Sequence, residues 1–244
     1  MSVASVVLSL IVLGFLFLQG YAAGRVLVTS LKHRLANTAL LGAGLLDAMV
    51  CTLLVYVAGL SWNDVAVPFM LAFYAAIPFT AFTFHRDRGR KRVVLALHVV
   101  GGTLLVAKVL AARWDAATGE SLAELTSLLL EAALVALGFG WWSLSARRAR
   151  LALSREGGGP MDPNLRSWVL SRLRAQQVGA GAMALNGLPQ FLQVLWGVRI
   201  EEPEPLSIAI LLALLAILGT FSACMVRAWC SGPKRDDGQE VGGA

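Results

Sequence analysis

A few ionisable side chains lie within long apolar stretches of the chain, where hydrocarbon-like surroundings make them costly. Asp47 and Glu131 lie near the middle of two such stretches. A carboxylate at membrane depth is a functional candidate, because nothing in the lipid solvates its charge. Glu120, Glu124 and Glu131 share one helical face by their spacing. This face is predicted to lead inward from the membrane surface to Glu131.

Amide side chains form a second candidate group in a later apolar stretch. Asn186, Gln190 and Gln193 share a helical face, and Pro189 removes one backbone hydrogen bond beside them. If this face meets the same interior as the carboxylates, the groups would line a hydrated pathway. The alternative is structural, because amides in membrane helices also bond neighbouring helices at about 0.6 kcal/mol each.

Histidines and cysteines provide little for a metal or cofactor site. His98 lies within an apolar stretch, whereas His33 and His85 lie in or beside basic segments. No histidine pair at opposite depths suits a haem, and no histidine-rich set suits a zinc-dependent hydrolase. The three cysteines lack the paired spacing of a metal site. We therefore predict no cofactor and no metal, with His98 as a weaker candidate for a polar site.

Seven apolar runs must position these residues. With 57% hydrophobic and 15% charged residues, the chain is too apolar for an ordinary soluble domain. Each run can cross a hydrocarbon layer of about 30 Å at about 1.5 Å per residue. We predict an all-α polytopic membrane protein, with one domain over 1–230 and a polar cytoplasmic tail over 231–244. The predicted helices cover about 3–24, 38–60, 65–84, 93–113, 121–144, 175–197 and 205–228.

Basic residues predict the orientation of the seven helices. All but three of the 21 Lys and Arg residues follow the first, third and fifth runs or lie at the C-terminal end. Cytoplasmic loops collect these residues, so the N-terminus is predicted outside and the C-terminus inside. The exceptions are Lys108, Arg113 and Arg199. Lys108 lies near the predicted outer end of its helix, from which its long side chain can reach the interface.

Tryptophan and helix-start residues agree with this topology. Trp favours membrane interfaces, and none of the seven lies at a predicted midplane. Three mark outer ends (Trp62, Trp114 and Trp196) and four mark inner ends (Trp141, Trp142, Trp168 and Trp229). Asp162 followed by Pro163 is typical of an N-cap and a first helical residue. It predicts a helix that runs along the inner surface and bends into the sixth run.

Short glycine motifs indicate a faint internal repeat. Leu41-Gly42-Ala43-Gly44 and Val178-Gly179-Ala180-Gly181 begin the second and sixth runs. Three helices, a linker helix and three more in parallel orientation would account for this, as in some transporters. The same glycines permit close helix approach, either within the protein or to a partner.

The segment Leu188-Pro189-Gln190, followed by Pro205-Leu206-Ser207, resembles the repeat of PQ-loop membrane proteins, which include SWEET-type sugar carriers. The family resemblance would imply a three-one-three helix arrangement. Two features depart from the family pattern: the Pro-Gln lies on the second helix of a triple, and acidic residues follow it. Seven helices are also similar to retinal-binding rhodopsins, but the last run lacks the lysine that a Schiff base requires. Membership of neither family is predicted.

Three functions remain open from the sequence. The first is a transporter-like or channel-like module that moves protons, ions or a small polar solute past Asp47 and Glu131. The second is a non-catalytic subunit that docks another membrane protein or a second copy. The third is a lipid-acting membrane enzyme, which requires His98 near a carboxylate. We predict a bacterial cytoplasmic membrane location, anionic lipid headgroups at the basic loops and no nucleic-acid partner.

Overall fold

A computed structural model describes residues 3–60, 64–85, 91–155, 161–196 and 205–230. Within these ranges the chain forms nine helices and no strand. In chain order they are α1 (Val3–Lys32), α2 (Ala36–Ala58), α3 (Ala66–Tyr74), α4 (Ala76–Phe84), α5 (Lys91–Thr118), α6 (Ser121–Arg155), α7 (Pro163–Met183), α8 (Gly187–Leu195) and α9 (Pro205–Cys230). The all-α prediction is confirmed for this part of the chain, while the tail over 231–244 lies outside it.

Five stretches of helix are long and apolar enough to cross a membrane, judged over the described residues. They are Thr38–Val55, Ala66–Phe84, Lys91–Thr118, Leu122–Arg155 and Ile208–Trp229. A protein with several such helices is a membrane protein. Neither α1 nor the pair α7 and α8 is among the five. Seven crossings, their orientation and the internal repeat therefore stay predictions.

Two of the predicted helices are each divided in two, and a proline removes one backbone hydrogen bond at each break. The run over 65–84 is interrupted between α3 and α4, where Pro78 cannot donate a hydrogen bond to Tyr74 four residues earlier. The run over 175–197 is interrupted between α7 and α8. There Pro189 cannot bond Leu185, and Leu188 N–H donates to the Leu185 carbonyl at 3.1 Å instead. Apolarity alone predicted continuous helices at both places.

The start of α7 is as predicted. The Asp162 carboxylate accepts hydrogen bonds from the N–H groups of Asn164 (2.6 Å) and Leu165 (3.4 Å), and Pro163 occupies the first turn. The helix then runs unbroken to Met183. The bend expected near the start of the sixth run is instead the break over 184–186.

The helices contact one another in a closed ring, and α4 packs against four helices of that ring, α2, α3, α5 and α6. In the described residues α1 contacts α2 and α9, α2 contacts α3, α5 contacts α3 and α6, and α7 contacts α6 and α9. The α3–α4 pair lies between α2 on one side and α5 and α6 on the other. Aromatic side chains fill the centre. Phe79, Phe139, Trp142 and Phe221 are each almost fully buried.

Trp142 is the largest of these central side chains. Its ring lies edge-on to Phe79 with centroids 4.8 Å apart, and its indole N–H donates to Gln176 Oε1 at 3.2 Å. The sequence pattern placed Trp142 at the membrane interface. The structure shows its side chain buried between helices, where its polar atom finds a partner inside the protein. The depth of Trp142 in the membrane stays a prediction.

The four glycines that were singled out all lie at close helix contacts within the chain. A Cβ on Gly42 would lie 2.9 Å from the Leu27 nitrogen of α1, and one on Gly44 would lie 3.1 Å from Ala75. A Cβ on Gly179 would lie 2.7 Å from the Cys224 Cβ of α9, and one on Gly181 would lie 3.1 Å from the Ser143 hydroxyl of α6. The close-approach prediction is confirmed, with neighbours of the same chain as the contacts.

Gly42→Ala is expected to lower the free energy of unfolding by about 1–3 kcal/mol. The added methyl group would meet the backbone of α1 rather than a side chain that can move aside. Gly102→Ala is the matched control, because a Cβ there meets nothing within 4 Å. Thermal unfolding in detergent measures both variants. Equal midpoints for the two would contradict the close contact between α1 and α2.

Candidate functional site

The candidate site is formed by a helical hairpin, α5 and α6, that turns at Gly119. This residue has φ +65°, the left-handed conformation that glycine adopts most readily. Its N–H donates to the Asp115 carbonyl at 2.7 Å and ends α5. Both helices of an antiparallel pair have the same rise per residue. Residues that are equally many positions before and after the turn therefore lie at the same height. Lys108 and Glu131 are two such residues.

Lys108 and Glu131 form an ion pair inside the protein. The Lys108 Nζ lies 3.0 Å from Glu131 Oε2, and the two side chains are 8% and 9% exposed. The same ammonium donates to the Ser127 hydroxyl at 2.7 Å. Ser127 and Glu131 are four residues apart on α6, so both face α5. We name Lys108, Ser127 and Glu131 the buried triad.

Pairing within the triad offsets the cost of burying each charge alone. An unpaired charge in an apolar interior is very costly, and burial is tolerated when the charge is paired and hydrogen-bonded. Here one cation, one anion and one hydroxyl meet with no net charge. The Lys108 ammonium bridges the Glu131 carboxylate and the Ser127 hydroxyl.

The middle of α6 lies between the two helix breaks. On one side, a Cβ on Gly138 would lie 3.3 Å from the Phe73 carbonyl oxygen, beside the α3–α4 break. On the other side, a Cβ on Gly187 would lie 2.5 Å from the Ala132 Cα, beside the α7–α8 break. Ala132 directly follows Glu131 in the sequence. The buried triad is therefore next to a place where a helix is interrupted.

Asn186 belongs to this region. It is the last residue of the α7–α8 break, directly before Gly187, and its side chain is buried. Because Gly187 packs on Ala132, the structure brings the segment containing Asn186 close to the segment containing Glu131. The backbone of Gln190 lies in α8, but its side chain falls outside the described part, as does that of Gln193.

Asp47 does not join Glu131. It lies on α2, which contacts α1, α3 and α4 but none of the later helices in the described ranges. The Cys51 thiol lies 3.9 Å from Asp47 Oδ1, one turn along the same helix. Helices α3 and α4 contact both α2 and α6, whereas α2 and α6 do not contact each other in the described residues. The structure therefore does not bring Asp47 and Glu131 together on one shared pathway.

His98 and Glu124 also lie apart from the triad. The His98 Nδ1 is 2.7 Å from the Val94 carbonyl oxygen of its own helix, and its ring lies edge-on to Tyr74 with centroids 6.4 Å apart. The structure does not bring His98 to Asp47, because α5 and α2 make no contact in the residues it describes. Glu124 is exposed on α6. Of the three glutamates on this face, the hairpin buries Glu131.

Lys108 and Ser127 are the site residues that sequence reasoning missed. Lys108 was expected to extend to the outer interface, but its helix continues to Thr118 and its ammonium turns inward to Glu131. A signal was present in the sequence. Lys108 and Glu131 are almost equally distant from Gly119, and a tight antiparallel hairpin would pair them. Ser127 then follows from its position one turn before Glu131.

No group of three or more metal-ligating side chains occurs among the residues placed by the structure. No protein-family model, curated protein or solved structure matches the chain. The site must therefore be interpreted from its own geometry.

Proposed function

We propose that the chain is a transporter-like or channel-like module in which the buried triad carries protons, ions or a small polar solute across the bilayer. The observation that supports the proposal is the ion pair of Lys108 and Glu131 at 3.0 Å on two helices that can each span a membrane. Ionisable residues in such helices mark ion or proton pathways by default, because apolar residues would be cheaper there.

The depth of the pair supports a transport role. Lys108 and Glu131 each lie about 17 Å of helix from the Gly119 turn, at about 1.5 Å per residue. A hydrocarbon layer is about 30 Å thick, so a turn at the outer surface places the pair near its middle. A group that alternates between two aqueous sides is best placed at such a depth.

The helix break beside the triad supports the same role. Transporter binding sites commonly use interrupted helices, whose exposed backbone and polar side chains bind the transported species. Here the α7–α8 break contributes the buried Asn186, and it packs on α6 one residue after Glu131. We propose that Glu131 accepts and releases the proton or ion, and that Lys108 balances its charge when the site is empty. Asp47 is assigned no part in this site.

Glu131→Gln is expected to reduce flux by about tenfold or more, because a charge-assisted hydrogen bond contributes roughly 1.5–3 kcal/mol. The purified full chain would be reconstituted in liposomes that contain a pH-sensitive dye. A potassium gradient with valinomycin drives proton entry, and radioactive sodium and rubidium uptake test cations in parallel. Glu124→Gln is the matched control, since it makes the same change at an exposed position of the same helix.

Flux equal to that of protein-free liposomes for all three ions would count against the module as an ion or proton path. Wild-type flux in Glu131→Gln would remove the triad from the mechanism. A loss of equal size in Glu124→Gln would show that the change acts through the general charge of α6 and not through the buried pair.

A non-catalytic membrane subunit is the second candidate, and one observation favours it. Helix α6 has 35 residues, which is about 52 Å of helix, so it extends well beyond a hydrocarbon layer of about 30 Å. Its last turns pair with α7, where Arg166 Nη2 donates to the Leu153 carbonyl at 2.7 Å. This projecting hairpin has exposed Arg147, Arg148 and Arg155. An acidic partner could dock there, and such a subunit would show no flux alone.

A further inference from the structure

A cleft of about 190 Å³ lies where three helices meet at the end of the bundle that the sequence predicts to be cytoplasmic. The end of α4, the first turn of α5 and the second half of α6 surround it. Its lining residues are His85, Val93, Val94, Trp141 and Arg148. It is separate from the buried triad, and nothing in the proposed transport role depends on it.

One wall of the cleft is rigid and aromatic. The imidazole of His85 stacks on the indole of Trp141, with centroids 5.1 Å apart and planes within 6° of parallel. The His85 Nε2 also lies 3.0 Å from the Ser145 hydroxyl, one turn further along α6. Two contacts from α6 thus hold the ring that closes α4. The wall is preformed rather than assembled on binding.

Besides the aromatic wall, the cleft is lined by a cation and by an apolar surface. Arg148 lies two turns after Trp141 on the same face of α6, and it is exposed. Val93, in the first turn of α5, is 58% exposed. Val100 lies two turns further along the same face of α5 and is 49% exposed. A cation and an aromatic wall therefore border a strip of apolar surface that leads away from the cleft along a membrane-spanning helix.

We infer that this cleft binds one anionic glycerophospholipid. The guanidinium of Arg148 contacts the headgroup phosphate, and the indole edge of Trp141 lies at the level of the glycerol. One acyl chain lies along Val93 and Val100. Arginine matches a phosphate group well because its planar fork donates two parallel hydrogen bonds.

Charge and polarity together favour a lipid over other anions. A free phosphate or a nucleotide would use Arg148 but would leave the apolar strip of α5 uncovered. A purely apolar ligand would cover the strip and the aromatic wall but would leave the cation unused. The inner leaflet supplies anionic lipid at this depth, and its negative surface attracts basic segments such as His85–Arg92.

The test is lipid binding to the full chain in neutral detergent, measured by native mass spectrometry. Dioleoyl phosphatidylglycerol and dioleoyl phosphatidylcholine are the two probes. The wild-type chain is expected to bind one phosphatidylglycerol about tenfold or more tightly than phosphatidylcholine, and Arg148→Gln is expected to lose this preference. Arg147→Gln is the matched control, because Arg147 is its exposed neighbour and does not line the cleft.

Two further arms separate a lipid site from an anion site. Glycerol 3-phosphate and inorganic phosphate, added at millimolar concentration, are expected not to displace the lipid because they lack the acyl chain. Val93→Asn is expected to weaken phosphatidylglycerol binding with Arg148 unchanged. Displacement by either small anion, an equal loss in Arg147→Gln, or no preference in the wild type would overturn the inference. Thermal unfolding of each variant verifies that the exposed substitutions leave the fold intact.

Discussion

Lys108→Met alone, or Glu131→Leu alone, is expected to lower the free energy of unfolding by about 3–5 kcal/mol. Each change leaves the opposite charge buried without its partner, and the two side chains are less than a tenth exposed in the intact protein. The loss is thus mainly the cost of the stranded charge. Unfolding by heat or by denaturing detergent, followed through tryptophan fluorescence, measures it.

The double variant Lys108→Met/Glu131→Leu is expected to recover most of that loss. Replacing both members of a buried pair by apolar residues of similar size removes the need for solvation, and such changes are often neutral or stabilising. Ser127 then loses its partner, but its hydroxyl can bond the carbonyl four residues earlier in α6. The expected result is a stable protein with no flux in liposomes.

This cycle separates a functional pair from a structural one. If the double variant is stable and retains wild-type transport, the triad holds two helices together and does nothing else. Double-variant stability below that of both single variants would contradict the ion pair itself. Arg113→Met is the control for α5, because Arg113 is exposed and lies in the same helix as Lys108.

Trp142→Ala is expected to cost about 3–5 kcal/mol, the range for truncating a fully buried large aromatic side chain. Trp142 is 0% exposed and contacts Phe79 and Phe139, so its loss opens a cavity between α4 and α6. It also leaves the buried Gln176 without the indole N–H at 3.2 Å. Chemical or thermal unfolding in detergent gives the size of the loss.

Trp142→Phe divides this effect into its parts. The phenyl ring keeps most of the packing and removes the hydrogen bond to Gln176, so a loss of about 1–2 kcal/mol is expected. Trp114→Ala is the control, since Trp114 is 39% exposed and a change there should stay within about 0.5 kcal/mol. A loss at Trp114 as large as that at Trp142 would argue against the aromatic core.

The sequence predicted the elements better than it predicted their interruptions. Apolar length and the Asp162–Pro163 start signal were enough to place most helices, because helix length and capping are local properties. The break over 184–186 was not predicted. Pro189 removes one bond wherever it lies, but whether a helix bends or breaks depends on what packs against it, here Ala132 of α6 on Gly187.

The candidate site was predicted only in part, for a related reason. Glu131 was identified because a carboxylate within an apolar run is conspicuous by itself. Depth counted from the end of the apolar run places Lys108 at the outer interface, whereas depth counted from the turn at Gly119 places it opposite Glu131. Asp47 was grouped with Glu131 by depth alone, and depth does not tell which helices are neighbours. The placement of α3 and α4 between them is a tertiary property.

The two glycine motifs match each other in sequence, but their glycines contact different helices. Gly42 and Gly44 contact α1 and α3 in that order, whereas Gly179 contacts α9 and Gly181 contacts α6. A parallel duplication would map α1 onto α6 and α3 onto α9, so the second pair meets its neighbours in reversed order. The contacts therefore give the duplication no support, and it stays a prediction.

The hairpin at Gly119 also bears on how the chain enters the bilayer during synthesis. Lys108 leaves the ribosome well before Glu131, and a lone lysine or aspartate at a helix centre opposes insertion by about 2.5–3.5 kcal/mol. The Lys108 charge can be paired with Glu131 only after both helices of the hairpin have emerged. Helices α5 and α6 are thus expected to insert into the lipid together, as one co-translational unit. The turn at Gly119 is expected to cross the bilayer first.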